Sequence, residues 1–331
     1  MKQILILALD GVMDSSLAIT LDTLRTAQAL RGRGRSRAEL QWSVIGQRRI
    51  VRTGGGLRLT ADLTFREVLA SPSRAEWLIV PGLGLTSESA IAARLRRADA
   101  RAAIAVLQQR RVAKYVAASC SAVFLLAEAG LLAGRSATTT WWLSQAFRTR
   151  HPDVRLDEGQ MLVRDGAFLT AGSAYAQLDL VLAVIAATAG PQIAHLCSRY
   201  MLIDRRASQA RYMIPSHVRH VDATVIAAER WIDANLSRPI TITELASAVA
   251  VSPKTLSRRI SAATGSSPIR FLQRRRLLKA VHLIETTTLT LDAVAREVGY
   301  EDATSLRKIV RREMGTTPSA LRNWMEGTQV Y

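Results

Sequence analysis

Cysteine is nearly absent from this chain: Cys120 and Cys197 are the only two in 331 residues. Two thiols cannot build a disulfide scaffold or an all-thiolate zinc site, and their scarcity predicts a reducing, cytoplasmic setting. Long hydrophobic runs are missing too. The most apolar stretch, residues 178–189, is 12 residues long and holds Asp179, whereas a membrane-spanning helix needs ~20. The first residues imitate a secretory leader, but Asp10 follows after six apolar residues with no small-residue cleavage site, so they read as a strand. No group of His, Cys, Asp or Glu has metal-ligand spacing, and no cofactor is expected. Lysine supplies only five of the 45 basic residues.

Apolar side chains are plentiful, at 48% of residues against 22% charged. That much apolar surface offsets chain entropy, which excludes general disorder, and the length predicts two domains. The net charge of +18 has to be located before it is interpreted. Residues 1–221 carry 29 basic and 16 acidic residues, and residues 222–331 carry 16 and 11. The excess is spread along the chain, so an arginine-rich composition explains it as well as nucleic-acid binding does. Only local clustering discriminates.

One segment does cluster. From Leu245 to Ile284 there are eight basic residues and no acid. Thr241-Ile242-Thr243-Glu244 has capping-box spacing, which predicts a short helix from Ile242 with Leu245 and Val249 inward. Ser252-Pro253 restarts a helix, with Ser as N-cap and Pro in the first turn. Leu256, Ile260 and Ala263 fall on one face of it; Lys254, Ser257, Arg258 and Ser261 fall on another, and Gly265 ends it. Short helix, tight turn and basic-faced helix make a helix-turn-helix. The pattern recurs as a short helix over 291–298, a turn at Gly299-Tyr300-Glu301-Asp302 and a basic helix closed by Gly315. Between the units, residues 268–286 form a 19-residue helix, roughly 28 Å at about 1.5 Å per residue. Such a strut is matched to recognition helices about one DNA turn (~34 Å) apart.

Residues 237–324 resemble the DNA-binding domain of AraC/XylS-type transcription regulators, two helix-turn-helix units joined by one long helix. The turn named above, Ser305-Leu306-Arg307-Lys308 and Met314-Gly315-Thr316-Thr317-Pro318 carry the resemblance. Family aromatic positions appear as Leu306 and Val310, and the usual Arg as Lys308. The resemblance implies base-edge reading by Lys254, Ser257 and Arg258 in the first unit and by Thr304, Ser305 and Lys308 in the second. It assigns phosphate contacts to Arg259, Arg274, Arg311 and Arg312. Arg276, in line with Leu272 and Ala280, is expected to join the two units.

Residues 1–200 alternate apolar runs with helical stretches. Strands are expected at 4–9, 42–45, 77–80 and 115–118, and helices at 17–30, 89–93, 99–110, 122–129, 141–149, 177–188 and 192–204. A hairpin is expected around Arg164-Asp165-Gly166. Gly54-Gly55-Gly56 lacks the context of a phosphate loop and reads as a turn. This alternation predicts a parallel sheet covered on both faces. Residues 115–123 form a strand, a turn with Cys120 at its tip, then a helix, the shape of a nucleophile elbow in which a helix N-terminus favours thiolate. Upstream, Val80-Pro81-Gly82 ends a strand whose backbone amides could form an oxyanion hole.

These residues resemble the ThiJ/PfpI (type 1 glutamine-amidotransferase-like) fold. Residues 127–139 are similar to the GlxA group, which joins this fold to an AraC-type domain. The resemblance implies a three-layer, flavodoxin-like α/β domain with a mostly parallel sheet, followed by the all-α domain. Ser16 stands where catalytic relatives place an acid, and Thr140 follows the Thr pair where the group often has His. His151 reads as a surface residue at a helix exit, which with His195 leaves no base for Cys120. Cys120 is therefore a packing residue, a pocket-lining residue or a redox sensor, and Cys197 is core. Ser16, Gly82, Ser119, Cys120, Ser121, Thr140 and Trp141 form the candidate effector pocket.

The expected protein is a sequence-specific DNA-binding transcriptional regulator without catalysis. Residues 1–204 would bind an effector or dimerise, 205–222 would be a linker, and 223–331 would bind DNA. Expected partners are double-stranded promoter DNA, a second copy of the chain, a small-molecule effector and RNA polymerase, with no membrane. The competing readings are a Cys-dependent amidase or hydrolase with an appended DNA-binding domain, and a sequence-blind binder driven by charge.

Overall fold

The computed structural model describes residues 2–31, 40–71, 74–109, 111–204, 206, 208–209, 212–213 and 222–326. The chain divides into two compact units, Met1–Arg206 and Ala207–Tyr331. Most of the expected linker, 205–222, lies outside the described residues.

The first unit runs β1 (Lys2–Leu7), α1 (Asp14–Arg31), β2 (Leu40–Gly46), β3 (Ile50–Arg52), β4 (Arg58–Thr60), β5 (Leu63–Thr64) and α2 (Phe65–Ala70). It continues with β6 (Ala75–Val80), α3 (Glu88–Arg96), α4 (Ala98–Gln108), β7 (Ala113–Ser119), α5 (Val123–Glu128), β8 (Ser136–Ala137) and α6 (Ser144–Arg150). The last elements are β9 (Arg155–Leu156), β10 (Leu162–Asp165), β11 (Phe168–Ala171), α7 (Ala176–Ala189) and α8 (Pro191–Tyr200). Seven strands form one sheet in the order β10-β11-β7-β6-β1-β2-β5, parallel except where β10 and β11 make the expected hairpin.

The central strands carry buried apolar runs, 4–7 in β1, 77–80 in β6 and 116–118 in β7, because both faces are covered there. Leu5, Leu7 and Val80 pack with α2 to α6, whereas Ile4, Ile6 and Ile79 pack with α1, α7 and α8. From β1 the chain first moves outward to β2, then crosses to β6 and β7 on the other side. The order therefore reverses between β1 and β6. In an open α/β sheet the carboxyl ends of strands at such a reversal leave a crevice.

Two local features differ from expectation. The β3–β4 hairpin, which Gly54 to Gly56 closes as a turn, has strands of three residues each and gives too little alternation to recognise. Helix α8 stops at Tyr200, short of 204, and Leu202 follows with φ +54°.

The second unit is helical, with no strand element among its described residues: α9 (Ala223–Asn235), α10 (Ile242–Ala248), α11 (Pro253–Thr264), α12 (Pro268–Thr286), α13 (Leu291–Glu297), α14 (Ala303–Met314) and α15 (Pro318–Glu326). It holds two small cores. Val225, Ile232, Leu245, Leu256, Ile260 and Phe271 form the first, and Leu277, Val281, Ile284, Val294, Leu306 and Val310 the second. Helix α12 contributes its first half to one core and its second half to the other. Among the described residues no helix is long and apolar enough to cross a membrane.

Candidate functional site

Helices α11 and α14 are built alike. Ser252 Oγ accepts from Thr255 N–H at 3.1 Å, and Asp302 Oδ1 accepts from Ser305 N–H at 2.7 Å, each satisfying an otherwise unpaired amide at the helix start. Gly265 and Gly315 close the helices in the left-handed conformation, with φ +67° and +66°. Leu256, Ile260, Leu306 and Val310 are buried. Lys254, Arg258, Thr304 and Lys308 are exposed on the remaining faces, with Ser257 and Ser305 half-buried. Ser305 Oγ bonds the Asp302 carboxylate at 3.1 Å; these bonds hold the Asp302 carboxyl below its usual range. The box expected at Thr241 is half-formed: Thr241 Oγ1 caps Glu244 N–H, while the Glu244 carboxylate bonds Arg238 at 2.6 Å.

The expected phosphate contacts divide into two kinds. Arg311 and Arg312 are exposed, and Arg312 pairs with its neighbour Glu313 at 2.7 Å. Arg259 is half-buried, donates to Thr224 Oγ1 and stands 3.7 Å from Asp222. Arg274 is half-buried with a guanidinium nitrogen 2.7 Å from Met213 Sδ. Arg275, not singled out by sequence reasoning, is held by Glu229 and Asp233 of α9.

Arg276 sits where the two cores meet. It donates to Gly299 O at 3.0 Å and Arg238 O at 2.9 Å, and its guanidinium lies 5.9 Å from the Tyr300 ring centre. One side chain thus bonds a residue preceding the first helix pair and the turn of the second, as expected. A Cβ on Gly299 would lie 2.3 Å from Leu236 O and 2.7 Å from an Arg276 guanidinium nitrogen. This closeness accounts for glycine at that turn.

In the first unit, Cys120 stands between β7 and α5 with φ +53°, a conformation that non-glycine residues rarely adopt. Long-range bonds hold it there. Its N–H donates to Gly172 O at 2.8 Å, and its carbonyl accepts from Thr139 Oγ1 at 2.7 Å. Gly172 was not singled out in the sequence, and Thr139 only as a member of the Thr pair, because no local pattern marks a partner so far along the chain. Gly82 closes the cluster from β6: a Cβ there would be 3.1 Å from Cys120 Cβ, 3.2 Å from Ser16 Oγ and 3.4 Å from Ser119 Oγ. Ser121 Oγ accepts from Leu85 N–H at 3.3 Å, and Thr140 lies beside the thiol. The structure therefore gathers Ser16, Gly82, Ser119, Cys120, Ser121 and Thr140 at the strand-order reversal. Trp141 is buried and packs edge-on to Trp142 with ring centres 5.3 Å apart. The hydroxyls of Ser16 and Ser119 are buried without a hydrogen-bond partner.

Two expectations are corrected. Cys120 is 1% exposed, and burial pushes its thiol up, against smaller opposing effects of Ser121 and Thr140. Desolvation outweighs the helix terminus, so the thiol is not poised as a thiolate. His151 is not a surface residue either. Its ring packs 5.1 Å from Phe147 and 6.2 Å from Phe124, and burial pushes its pKa down against the pull of Glu128. His195 is exposed on α8.

The model of the DJ-1/PfpI family matches residues 2–187, over half of the chain. The chain belongs to the DJ-1/PfpI family. A helix-turn-helix domain model matches residues 245–323. Among curated relatives, the helix-turn-helix transcriptional regulator GbdR of Pseudomonas aeruginosa is 26% identical over 94% of this chain and 82% of its own length. The regulator CdhR of the same species is 28% identical over 59% of both chains. GlxA of Rhizobium meliloti is 26% identical over 61% of this chain and 63% of its own. With CdhR and GlxA, therefore, the match spans less than two thirds of the relative. The crystal structure of Drosophila melanogaster DJ-1beta superposes with TM-score 0.50 and 18% identity, covering 62% of this chain and 99% of that one. By domain composition this DJ-1/PfpI protein is a DNA-binding transcriptional regulator.

Proposed function

We propose that this protein binds specific promoter DNA through α11 and α14, under the control of a small molecule taken up beside Cys120. Base edges are read by Lys254, Ser257 and Arg258 in one major groove and by Thr304, Ser305 and Lys308 in the next. Arg311 and Arg312 hold phosphates, as Arg259 and Arg274 do once released from their present contacts. The observation that carries this reading is Arg276, which fastens both helix pairs to one strut and so supports a fixed spacing of two capped, basic-faced helices. Replacing Arg258 should relax base preference, whereas replacing Arg311 should weaken all sequences alike. Competition between a selected duplex and bulk DNA across salt concentrations measures both. Loss of all preference in Arg311→Gln, with none in Arg258→Gln, would refute the assignment.

The α/β unit, residues 1–204, serves as sensor and dimerisation domain, 205–222 as linker and 223–331 as DNA-binding domain. Two buried hydroxyls without partners, those of Ser16 and Ser119, support a polar effector at the cluster. A route outward is built into α7. The loop after Gly172 leads to Tyr175, whose carbonyl accepts from Arg206 at 2.7 Å, and Arg206 also pairs with Asp179. From the other side, Thr20 Oγ1 donates to Ser16 O and Gln177 Nε2 donates to Thr20 Oγ1, both at 2.7 Å. Binding at Ser16 or Cys120 would then shift α7 and, with it, Arg206, which is bonded to its first turn. Promoter DNA, a second copy, the effector and RNA polymerase are the partners this reading needs, and a cytoplasmic location follows from it.

No catalytic step is assigned. The strained turn at Cys120 favours a hydrolase, and the raised thiol pKa argues against it. Amide or ester turnover abolished by Cys120→Ala would restore that alternative.

A further inference from the structure

The β3–β4 ribbon carries a feature that the sites above leave unused. In its register Arg52 lies directly across from Arg58, and Ile50 across from Thr60. Val51 is buried, so strand alternation turns Ile50, Arg52, Arg58 and Thr60 outward together. Like charges directly opposite on a ladder repel. The pair therefore weakens the element that displays it. Residues 47–59 hold four arginines and no acid.

Neighbouring acids do not relieve the pair. Asp10 Oδ1 accepts from the Arg52 backbone N–H at 2.8 Å, and Asp14 accepts from Thr53 Oγ1 and from Gly55 N–H at 2.7 Å. Glu67 takes Arg49. Among the described residues no ion pair reaches Arg48, Arg52 or Arg58. The acids fasten the ribbon's backbone to the loop after β1, helped by Gly11 N–H to Arg52 O at 2.7 Å and Gly54 N–H to Val12 O at 2.8 Å. The result is an anchored two-stranded ribbon presenting cations with no anion.

We infer that this ribbon is a second DNA-contacting surface, in which Arg52 and Arg58 hold backbone phosphates of double-stranded DNA. The inference rests on the DNA-binding function proposed above. Guanidinium forks suit phosphate oxygens, and two opposed forks meet successive phosphates without reading bases. Ile50 and Leu57, 57% and 66% exposed, flank the forks and supply apolar contact to the sugars. The repulsion within the pair disappears when phosphates lie against it.

The test uses the full chain and two short duplexes, one of arbitrary sequence and one recovered from a randomised pool by the wild-type protein. Binding is measured by fluorescence anisotropy over a salt series for wild type, for Arg52→Gln/Arg58→Gln, and for Arg96→Gln/Arg101→Gln, which removes equal charge from exposed positions on α3 and α4. The ribbon variant should bind both duplexes more weakly by the same factor. Its plot of log affinity against log salt should be shallower by about two, at about 0.9 per phosphate contact. It should melt no lower than wild type, because a repulsive pair is gone. The α3–α4 variant should keep the wild-type slope. A ribbon variant with the slope of wild type, or no shallower than the α3–α4 variant, would overturn the inference alone. A wild-type protein with no preference for the recovered duplex would count against the functional proposal instead.

Discussion

Single atoms set the tolerances at Gly299. Its φ is +74°, and a methyl there would press on Leu236 O and on the guanidinium that joins the two helix pairs. Gly299→Ala should cost at least ~1–3 kcal/mol, the usual range for strain at such a position, with loss of DNA affinity; thermal unfolding of the full chain measures the first. Ser119 is the converse case. Its hydroxyl is fully buried and unpartnered, so Ser119→Ala should leave the free protein as stable or more so, and a drop of more than ~1 kcal/mol would mean that the hydroxyl is bonded after all. Cys197 sets a pH dependence. Burial pushes its thiol up to about 11, above the ~8.5 of an exposed thiol. A raised pKa stabilises the fold fully below the unfolded value and loses that contribution as pH rises towards 11. Melting temperature should therefore fall more steeply across this interval in wild type than in Cys197→Ala.

Among elements, the helices of the second unit were the most legible. Ser252-Pro253 and Gly265 mark the bounds of α11, and the 19-residue α12 begins and ends where its apolar period does. Cap chemistry is local, so a few adjacent residues suffice to show it. Ser252→Ala should destabilise α11 by about 1 kcal/mol, measurable as a lower midpoint in urea. The β3–β4 ribbon escaped notice because it is held by Asp10 and Asp14, far from it in sequence. The elbow at Cys120 was visible as strand, turn and helix, but the charge state of its thiol was not. Burial by Gly82, Ser16 and Thr140 decides that, and those residues come from three separate stretches of chain. His151 failed for the same reason: neighbouring residues place it at a helix exit, while Phe124 and Phe147 enclose it.

At the scale of the whole molecule, a basic, helical DNA-binding unit follows an α/β unit whose polar cluster lies at the reversal of strand order. If α7 transmits the state of that cluster, Arg206→Gln should leave affinity for a selected duplex within about twofold while abolishing its dependence on a metabolite extract, since Arg206 bonds Tyr175 O and Asp179 at the start of α7. The central claim is that two helices read one face of the duplex in concert. Hydroxyl-radical footprinting of the full chain on a duplex recovered from a randomised pool tests it most directly. Two protected patches on one face, centred about 10 base pairs apart, are predicted, with Arg258→Gln disturbing one and Lys308→Gln the other. A single patch, or even protection that ignores sequence, would contradict the account.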